Sequence, residues 1–296
     1  MEKKFTLSCE STVDMPYIYL KERNIPVIFY HYIINGHAYE DNMERNPKLL
    51  PKFYRMLDNG IIPSTSQINE YSYIEFFEPI VKNGDLFHIT FSSGMSGSAN
   101  NAHTAADYLR KKYPESKTVI IDSLSGSSGY GLLVDIAADM RDSGCSLDET
   151  ADFIKNHRGK LHHQFFTTDL KYLKFSGRIS GAAATIASVL NIYPLIRMDK
   201  SGVANAYDKI RGRMRVIRKT VDEMEFYAKD GTNYNGKCYI SHANCPEVAY
   251  ELKKLITESF PDISKPVKIF NAGTITAAHC GPGSAGIYFF GEERPY

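Results

Sequence analysis

Two stretches of the sequence repeat one pattern, in which a short apolar run leads through a serine and glycine loop into a helical segment. The first begins with "DLFHITF" (Asp85 to Phe91) and continues through "SSGMSGS" into "ANNAHTAADYL". The second begins with "KTVIID" (Lys117 to Asp122) and continues through "SLSGSSGYG" into "LLVDIAADMRDSG". A short apolar strand followed by a helix is the unit of a parallel α/β sheet. The repeat therefore predicts that both loops face one crevice at a sheet edge, where such sheets bind ligands.

The start of the chain fits the same fold class. "FTLSC" (Phe5 to Cys9) predicts a strand, and "STVDMPYIYLKERN" predicts its loop and helix, with Asp14 as the candidate N-cap. "IPVIFYHYII" is followed by Asn35-Gly36, a strong hairpin signal, so we expect an antiparallel strand to join the sheet. Gly144 lies where a helix C terminus favours a left-handed residue.

The pattern changes near Lys160. "LNIYPLIRMDKSGVANAY" predicts a hairpin that turns at Lys200 to Gly202, and "KCYISHA" and "KPVKIFNAG" predict strands on either side of the amphipathic helix "PEVAYELKKLITESF". We therefore expect two α/β domains. Residues 1–160 would hold a mostly parallel sheet flanked by helices, and residues 161–296 a smaller domain with a mixed sheet. A chain of 296 residues, 43% of them hydrophobic, can bury two cores.

Composition excludes several classes of protein. Lys and Arg total 35 against 34 for Asp and Glu, so the net charge of +1 does not indicate a nucleic-acid partner. The five cysteines form no C-x-x-C pair, and no Cys/His cluster has metal-ligand spacing. His162 and His163 are adjacent, so on a strand they would face opposite sides and could not bind one metal ion together. No signal peptide and no run approaching the ~20 apolar residues of a membrane span is found. We expect a cytoplasmic protein without a metal site.

The loop "FSSGMSGSAN" has the composition of a socket for a small anion. Gly94 and Gly97 allow backbone N–H groups to turn inward, and hydroxyl donors come from Ser92, Ser93, Ser96 and Ser98. The loop lacks the lysine of a phosphate-binding G-x-x-x-x-G-K-[ST] motif and the G-x-G-x-x-G spacing, which favours one carboxylate or one phosphate over a nucleotide. The alternative is that these serines only cap the helix and turn the chain.

Three further stretches carry polar groups. "PSTSQIN" (Pro63 to Asn69) predicts either a helix cap or a second wall of donors. "GTITAAHCGPGSAGIYFFG" holds His279 beside a rigid Gly-Pro-Gly turn, where it could be structural, donate to an acyl carboxylate or titrate near neutral pH. "KIRGRMRVIRK" (Lys209 to Lys219) is either a solvated helix face or a contact for an anion or acidic partner.

Two other functions stay open on these residues. One is a serine hydrolase acting on acyl esters through Ser96, although Gly-Met-Ser-Gly misses the G-x-S-x-G nucleophile motif by one position and no His or Asp is assigned to it. The other is a module that binds small phosphorylated metabolites at the same loops.

Seven motifs in one order carry a resemblance to a known family: "ESTVDMP", "STSQ", "FSSGMSGS", "IDSLSGSSGYG", "DLKYLKFSGRIS", "LNIYPLIRMDKSGV" and "HCGPGSAGIYFF". The chain resembles the DegV family, the fatty-acid-binding proteins that serve bacterial fatty acid kinase, over nearly its whole length. The resemblance implies a two-domain α/β protein that holds one long-chain fatty acid between its domains. It also implies a carrier without cofactor or catalytic activity, whose partner is a separate ATP-dependent kinase that forms an acyl phosphate for phospholipid synthesis.

The resemblance also assigns residues. The implied carboxylate contacts are Thr65, Ser93, Gly94, Ser96, Gly97 and His279. The residues implied near the head group or facing the kinase are Ser66, Arg178, Arg211 and Arg213. Three residues depart from the usual family pattern: Glu10 replaces Asp, Ile68 replaces Pro and Ser176 replaces Gly. None of these departures removes a carboxylate donor. They do leave the conformation of the loop around Thr65 undetermined by the resemblance.

Overall fold

The structure is a computed structural model that describes residues 5–179, 191–263 and 265–296. The first four residues of the chain, Ser180 of the "SGRIS" motif and Leu190 of the "LNIYP" motif lie outside these ranges. Within the described ranges, no helix combines the length and the apolar character needed to span a membrane.

Strands and helices alternate along most of the chain. The strands are β1 (Thr6–Glu10), β2 (Val27–Ile28), β3 (His31–Ile34), β4 (His37–Glu40), β5 (Ser64–Ser66), β6 (Leu86–Thr90), β7 (Thr118–Asp122), β8 (Leu161–Phe166), β9 (Ile192–Met198), β10 (Ala204–Arg211), β11 (Tyr239–His242), β12 (Lys268–Asn271) and β13 (Ala285–Phe290). The α-helices are α1 (Tyr17–Glu22), α2 (Leu49–Asp58), α3 (Glu70–Val81), α4 (Ser98–Lys112), α5 (Ser127–Asp142), α6 (Leu147–His157), α7 (Lys171–Ser176), α8 (Arg213–Tyr227), α9 (Pro246–Ser259) and α10 (Thr274–Cys280).

The first sheet has the strand order β2-β1-β6-β7 and is parallel at every pairing. The predicted βα repeat is confirmed, because β6 leads into α4 and β7 leads into α5. Gly144 follows α5 and has φ of +98°, which confirms the left-handed conformation predicted for this helix end. Asp14 is not an N-cap: the N-cap position of α1 is Pro16, and the Asp14 carboxylate accepts hydrogen bonds from Ser127 and Gly273 instead.

The Asn35-Gly36 turn forms the predicted hairpin, but the hairpin does not join the parallel sheet. Strands β3 and β4 pair antiparallel, and β5 pairs with β3 to complete a separate three-stranded sheet. The expectation of antiparallel pairing within the first sheet was therefore wrong. The physical reason is that only Val27–Ile28 pairs with β1, after which the chain leaves that edge and finds a new partner in β5.

The larger sheet is mixed and has the order β10-β9-β8-β13-β11-β12. Its one parallel pairing is β11 with β12, and the hairpin predicted at Lys200 to Gly202 joins β9 to β10. All six strands lie between Leu161 and Phe290, and all four strands of the parallel sheet lie between Thr6 and Asp122. A domain boundary near Lys160 stays a prediction.

Helix α5 lies between the two larger sheets. It contacts β1 on one side and β8, β11 and β13 on the other, and its residues from Ser127 to Val134 are all buried. Gly129 permits this close packing, because a Cβ there would lie 2.4 Å from Nε2 of His163. Helices α3 and α4 pack on the far face of the parallel sheet, and α8 and α9 pack on the far face of the mixed sheet.

A buried carboxylate on α5 ties the two sheets together. Asp135 accepts hydrogen bonds from Tyr19 and Arg23 of the α1 region, and from Lys237 and Tyr239 at the start of β11. The Arg23 Nη1 to Asp135 Oδ1 distance is 2.8 Å. Burial alone would raise the pKa of Asp135, but the hydrogen bonds from Lys237 and the two tyrosines outweigh it and lower the pKa to about 2. The carboxylate therefore stays charged and joins elements from both parts of the chain.

Replacing this carboxylate should destabilise the fold. We expect Asp135→Asn to lower the free energy of unfolding by about 3 to 5 kcal/mol, because Arg23 and Lys237 lose a buried counter-charge. Since the folded pKa lies below the unfolded value of about 3.9, the stabilisation is full above that pH and is lost as the pH falls towards 2.

Urea unfolding at neutral pH and along an acid series measures both effects. Asp152→Asn on α6, which removes an exposed carboxylate, is the matched control. Equal stability of the two variants at neutral pH would contradict a structural role for Asp135.

Candidate functional site

A cavity lies between the carboxyl ends of the parallel strands and one face of the mixed sheet. It has about 960 Å³ of empty space, including its open mouth, and most of its lining surface is apolar. Ser96 of the loop after β6 and Ser127 at the start of α5 line one side, and Phe165 of β8 and Tyr288 of β13 line another. The prediction that the two serine and glycine loops face one crevice is confirmed.

Thr65 and His279 meet at one wall of this cavity. Thr65 lies in β5, and His279 lies in the last turn of α10, with 2.9 Å between Thr65 Oγ1 and His279 Nε2. Both interpretations of "PSTSQIN" hold, for different residues. Ser64–Ser66 form a strand that places Thr65 in the cavity wall, and Asn69 caps α3 by accepting the N–H of Ser72. Pairing with β3 fixes the strand and so fixes the position of Thr65.

Ser96 lines the same cavity and forms hydrogen bonds with other hydroxyl groups. Its Oγ lies 3.2 Å from Tyr30 Oη and 3.0 Å from Ser98 Oγ. Sequence reasoning missed Tyr30, which follows the short strand β2 and is 66 residues away from Ser96 along the chain. Among the described residues no histidine hydrogen-bonds to Ser96, so the geometry does not assemble the base that a serine nucleophile needs.

Arg178 brings a positive charge to the cavity. It is half-buried, and its Nε donates to the backbone oxygen of Met95 at 3.3 Å. Of the described residues that line the cavity, Arg178 alone carries a permanent charge. Ser66, predicted near the head group, also lines the cavity. The structure thus brings together five of the predicted residues: Thr65, Ser66, Ser96, Arg178 and His279.

Three predicted loop residues do not line the cavity. Ser93 is exposed, and its N–H donates to Asp122 instead. Gly97 occupies the N-cap position of α4, and a Cβ there would lie 2.4 Å from Oε1 of Gln67. Gly94 packs against the β9–β10 turn, where a Cβ would lie 2.6 Å from the backbone oxygen of Ser201. These two glycines serve close packing, and the geometry does not support the prediction that these three residues donate to a carboxylate.

The basic stretch lies outside the cavity lining as well. Arg211 ends β10, and Arg213 begins α8 and lies 3.8 Å from Glu247. Both side chains are exposed. The stretch from Lys209 to Lys219 therefore includes the end of β10 and the start of α8. The sequence alone favoured a single helix face.

A second set of polar side chains lines the cavity. Ser127 Oγ lies 2.5 Å from Asp14 Oδ2 and 3.1 Å from Ser241 Oγ, which lies 2.7 Å from Tyr288 Oη. His163 of β8 lies beside Tyr288, with 5.2 Å between the ring centroids. The prediction that His162 and His163 face opposite sides is confirmed, since only His163 lines the cavity.

Burial sets the protonation state of His279. Desolvation, helped by the positive charge of Arg178, lowers the pKa of His279 to about 4. The expectation that it could titrate near neutral pH was therefore wrong, and the imidazole is neutral at pH 7. Asp14 is shifted the other way, because burial raises its pKa to about 7. Among the described residues, no group of three or more Asp, Glu, His or Cys side chains could hold a metal ion.

Fold and site together define a class: an α/β protein of two large sheets that encloses an apolar cavity with polar groups in its wall. The DegV family model, described as "Uncharacterised protein, DegV family", matches residues 4–292. The chain belongs to the DegV family. It is 34% identical over 295 residues to a DegV domain-containing protein of Clostridium perfringens, covering 99% of each chain. A DegV domain-containing protein of Streptococcus pyogenes is 30% identical, with 98% of this chain and 99% of the relative covered.

Solved structures share this fold. The DegV family protein of Eubacterium eligens, loaded with heptadecanoic acid, superposes with a TM-score of 0.85 at 19% identity, covering 97% of this chain and 100% of the other. DegV of Bacillus subtilis, a fatty acid binding protein, superposes with a TM-score of 0.81 at 21% identity, covering 98% and 100%. At these identities the likeness establishes the two-sheet α/β fold.

The protonation of His279 can be measured directly. We expect its imidazole NMR signals to titrate with a midpoint near pH 4. Because the folded pKa is below the unfolded value of about 6.5, stability should be full above that pH and should decrease as the pH falls towards 4.

The variant His279→Gln assigns the signals and keeps a polar partner for Thr65. It should lose less stability than the parent protein between pH 6.5 and pH 4. A midpoint near 6.5 in the parent would show that the ring is solvated and would contradict the buried geometry.

Proposed function

We propose that the protein binds one long-chain fatty acid in the cavity, with its carboxylate near Thr65, Ser96 and His279. The observation that carries this proposal is an apolar cavity whose wall, in the part of the chain that the structure describes, holds clustered hydroxyl and imidazole groups beside one permanent positive charge. Arg178 supplies that charge, which favours an anionic ligand. The heptadecanoic acid of the Eubacterium eligens relative and the fatty acid binding of the Bacillus subtilis relative support the same ligand class.

The free energy of burying a hydrocarbon chain favours such a ligand. Burying ~15 methylene groups at ~0.8 kcal/mol each gives about 12 kcal/mol before the ordering costs of binding are subtracted. Removing a carboxylate from water opposes this gain unless donors replace its hydration. The tail therefore supplies affinity and the hydroxyl cluster supplies orientation.

The rival functions receive less support. A serine hydrolase needs a base at Ser96, whose hydrogen-bond partners among the described residues are hydroxyls and its own neighbouring backbone. A module for small phosphorylated metabolites does not need a cavity lined mostly by apolar surface.

We further propose that the protein is a carrier and that catalysis belongs to a separate subunit. Neither serine and glycine loop has the lysine of a phosphate-binding loop, so we assign ATP to a separate fatty acid kinase. The carrier would present the carboxylate for acyl phosphate formation, and the product would enter phospholipid synthesis. Arg211 and Arg213, exposed outside the cavity, would receive the kinase or the acyl phosphate. We place this chemistry in the cytoplasm, in keeping with five free cysteines.

Fatty-acid binding is tested by extraction and titration. Solvent extraction of the purified protein should release a long-chain acid, and the delipidated protein should bind stearate with one site. Thr65→Val and Ser96→Ala should each weaken binding by about 1 to 3 kcal/mol, because a buried carboxylate loses one donor.

Isothermal titration gives the dissociation constants. Ser93→Ala is the matched control, since Ser93 comes from the same loop but is exposed and does not line the cavity. A protein that carries no acid and takes up neither stearate nor oleate would refute the proposal.

The carrier role is tested in a coupled reaction. With a bacterial fatty acid kinase, ATP and Mg²⁺, the stearate-loaded protein should support acyl phosphate formation. The double variant Arg211→Glu, Arg213→Glu should slow formation by about tenfold, because charge reversal at a contact surface slows association, without changing the stearate dissociation constant.

The double variant Lys111→Glu, Lys155→Glu, which reverses two exposed charges on α4 and α6, serves as the control for net charge. Acyl phosphate formation by the carrier and ATP without any kinase would overturn the assignment of catalysis to a second subunit.

A further inference from the structure

Ser92 belongs to the same loop as Ser96, yet the proposed function gives it no role. The sequence placed its hydroxyl among the candidate donors to an anion. In the structure its side chain is fully buried and does not line the cavity. A buried hydroxyl costs free energy unless it is hydrogen-bonded within the protein. The partners of Ser92 therefore indicate what this side chain does.

The hydroxyl of Ser92 joins the loop to the mixed sheet. Ser92 Oγ donates to the backbone oxygen of Gly202 in the β9–β10 turn, with 2.7 Å between the two oxygens. The direction of this bond is fixed, because a carbonyl oxygen can only accept and a hydroxyl has one proton. Ser92 Oγ also accepts the N–H of Gly94 at 3.2 Å. The hydroxyl therefore has no proton left for a ligand.

The backbone of Ser92 connects the same residue to Ser96. Its carbonyl oxygen accepts the N–H groups of Met95 and Ser96, each at 3.1 Å. Its own N–H donates to the backbone oxygen of Ser125, in the loop after β7, at 3.0 Å. Ser96 thus lies at the end of a turn that begins at Ser92, and the position of Ser92 sets the position of Ser96.

The contact between Ser92 and the turn is close on both sides. Gly202 has φ of +73°, and a Cβ there would lie 2.1 Å from Ser92 Oγ. The turn is held in place by Asp199, whose Oδ1 accepts the N–H groups of Ser201 and Val203 at 2.8 and 3.0 Å. The hydroxyl of Ser92 is therefore bound to a backbone oxygen whose own position is fixed.

We propose that Ser92 is a positioning residue, whose hydroxyl holds the loop against the β9–β10 turn and thereby places Ser96 for the carboxylate of the fatty acid. The inference rests on the proposed function and adds a residue that acts on the head group without touching it. A displaced Ser96 would lose its hydrogen bond to the carboxylate, because such bonds weaken steeply with distance and angle. The hydrocarbon tail would be affected less, since its burial is not directional.

The experiment compares oleate and oleyl alcohol, which have the same tail, on the delipidated full chain. Ser92→Ala should weaken oleate binding by about tenfold, the order of one hydrogen bond to a charged group. It should weaken oleyl alcohol binding by no more than about twofold. Displacement of a fluorescent fatty acid gives both dissociation constants, and the measured quantity is the ratio of the two affinities. A general loss of structure would weaken both ligands alike and leave this ratio unchanged.

Two further variants test the contact itself. Gly202→Ala changes it from the side of the turn, because the added methyl group would displace Ser92 Oγ, and it should lower the same ratio. Ser116→Ala is the matched control. Ser116 is buried, donates to the backbone oxygen of Gly84 at 2.6 Å and does not line the cavity. It loses the same kind of hydrogen bond and should keep the ratio of the parent protein.

Hydrogen exchange measures the loop without any ligand. The amides of Met95 and Ser96 should exchange faster in Ser92→Ala than in the parent protein, because their acceptor is the backbone oxygen of the released residue. In Ser116→Ala they should exchange at the parent rate.

The failures are distinguishable. If Ser92→Ala keeps the parent ratio, or if Ser116→Ala lowers it equally, the positioning role is wrong and fatty-acid binding stands. Parent-like exchange of the Met95 and Ser96 amides in Ser92→Ala would also overturn it. If Ser92→Ala does not fold, Gly202→Ala decides by the same ratio. If the parent protein does not bind oleate, the proposed function itself is refuted.

Discussion

The buried carboxylate of Asp135 is the interaction on which the geometry of the cavity depends. It lies on the helix between the two larger sheets and holds donors from α1 and from the start of β11. A buried charge is tolerated only when its partners stay in place, so the cluster fixes how the mixed sheet faces the parallel one. The cavity lies between the same two sheets. Asp135 and its four donors lie outside the cavity lining, so they hold the surrounding elements without facing the cavity.

Burial also decides the electrical character of the cavity wall. It keeps His279 and His163 neutral, while the guanidinium of Arg178 stays charged. Among the residues that the structure describes, an anion in this cavity meets the permanent positive charge of Arg178 together with neutral donors that set its direction. In a medium of low dielectric constant such hydrogen bonds are stronger than in water, and an unpaired polar group is costlier. Recognition by neutral donors thus suits a ligand that is mostly hydrocarbon.

Local patterns predicted much of the fold, because a strand, its loop and the next helix are neighbours in sequence. The Asn35-Gly36 hairpin was also predictable, but the sheet that it joins depends on β5, three short polar residues with no apolar alternation. The contact between Thr65 and His279 spans 214 residues, and only the family resemblance pointed to it. Tyr30 and His163 could not be assigned from sequence, because their roles depend on packing against distant elements.

The loop that holds Ser96 is also joined to the β9–β10 turn. Ser92 Oγ donates to the backbone oxygen of Gly202 at 2.7 Å, and Gly94 packs against the neighbouring carbonyl of Ser201. Met95 on the loop and Ala204 just beyond the turn both belong to the cavity wall. The contact between the loop and the β9–β10 turn therefore closes this part of the cavity wall. A methyl group at Gly94 would clash with the backbone oxygen of Ser201 and separate the loop from the turn, although it would contact none of the polar groups that line the cavity.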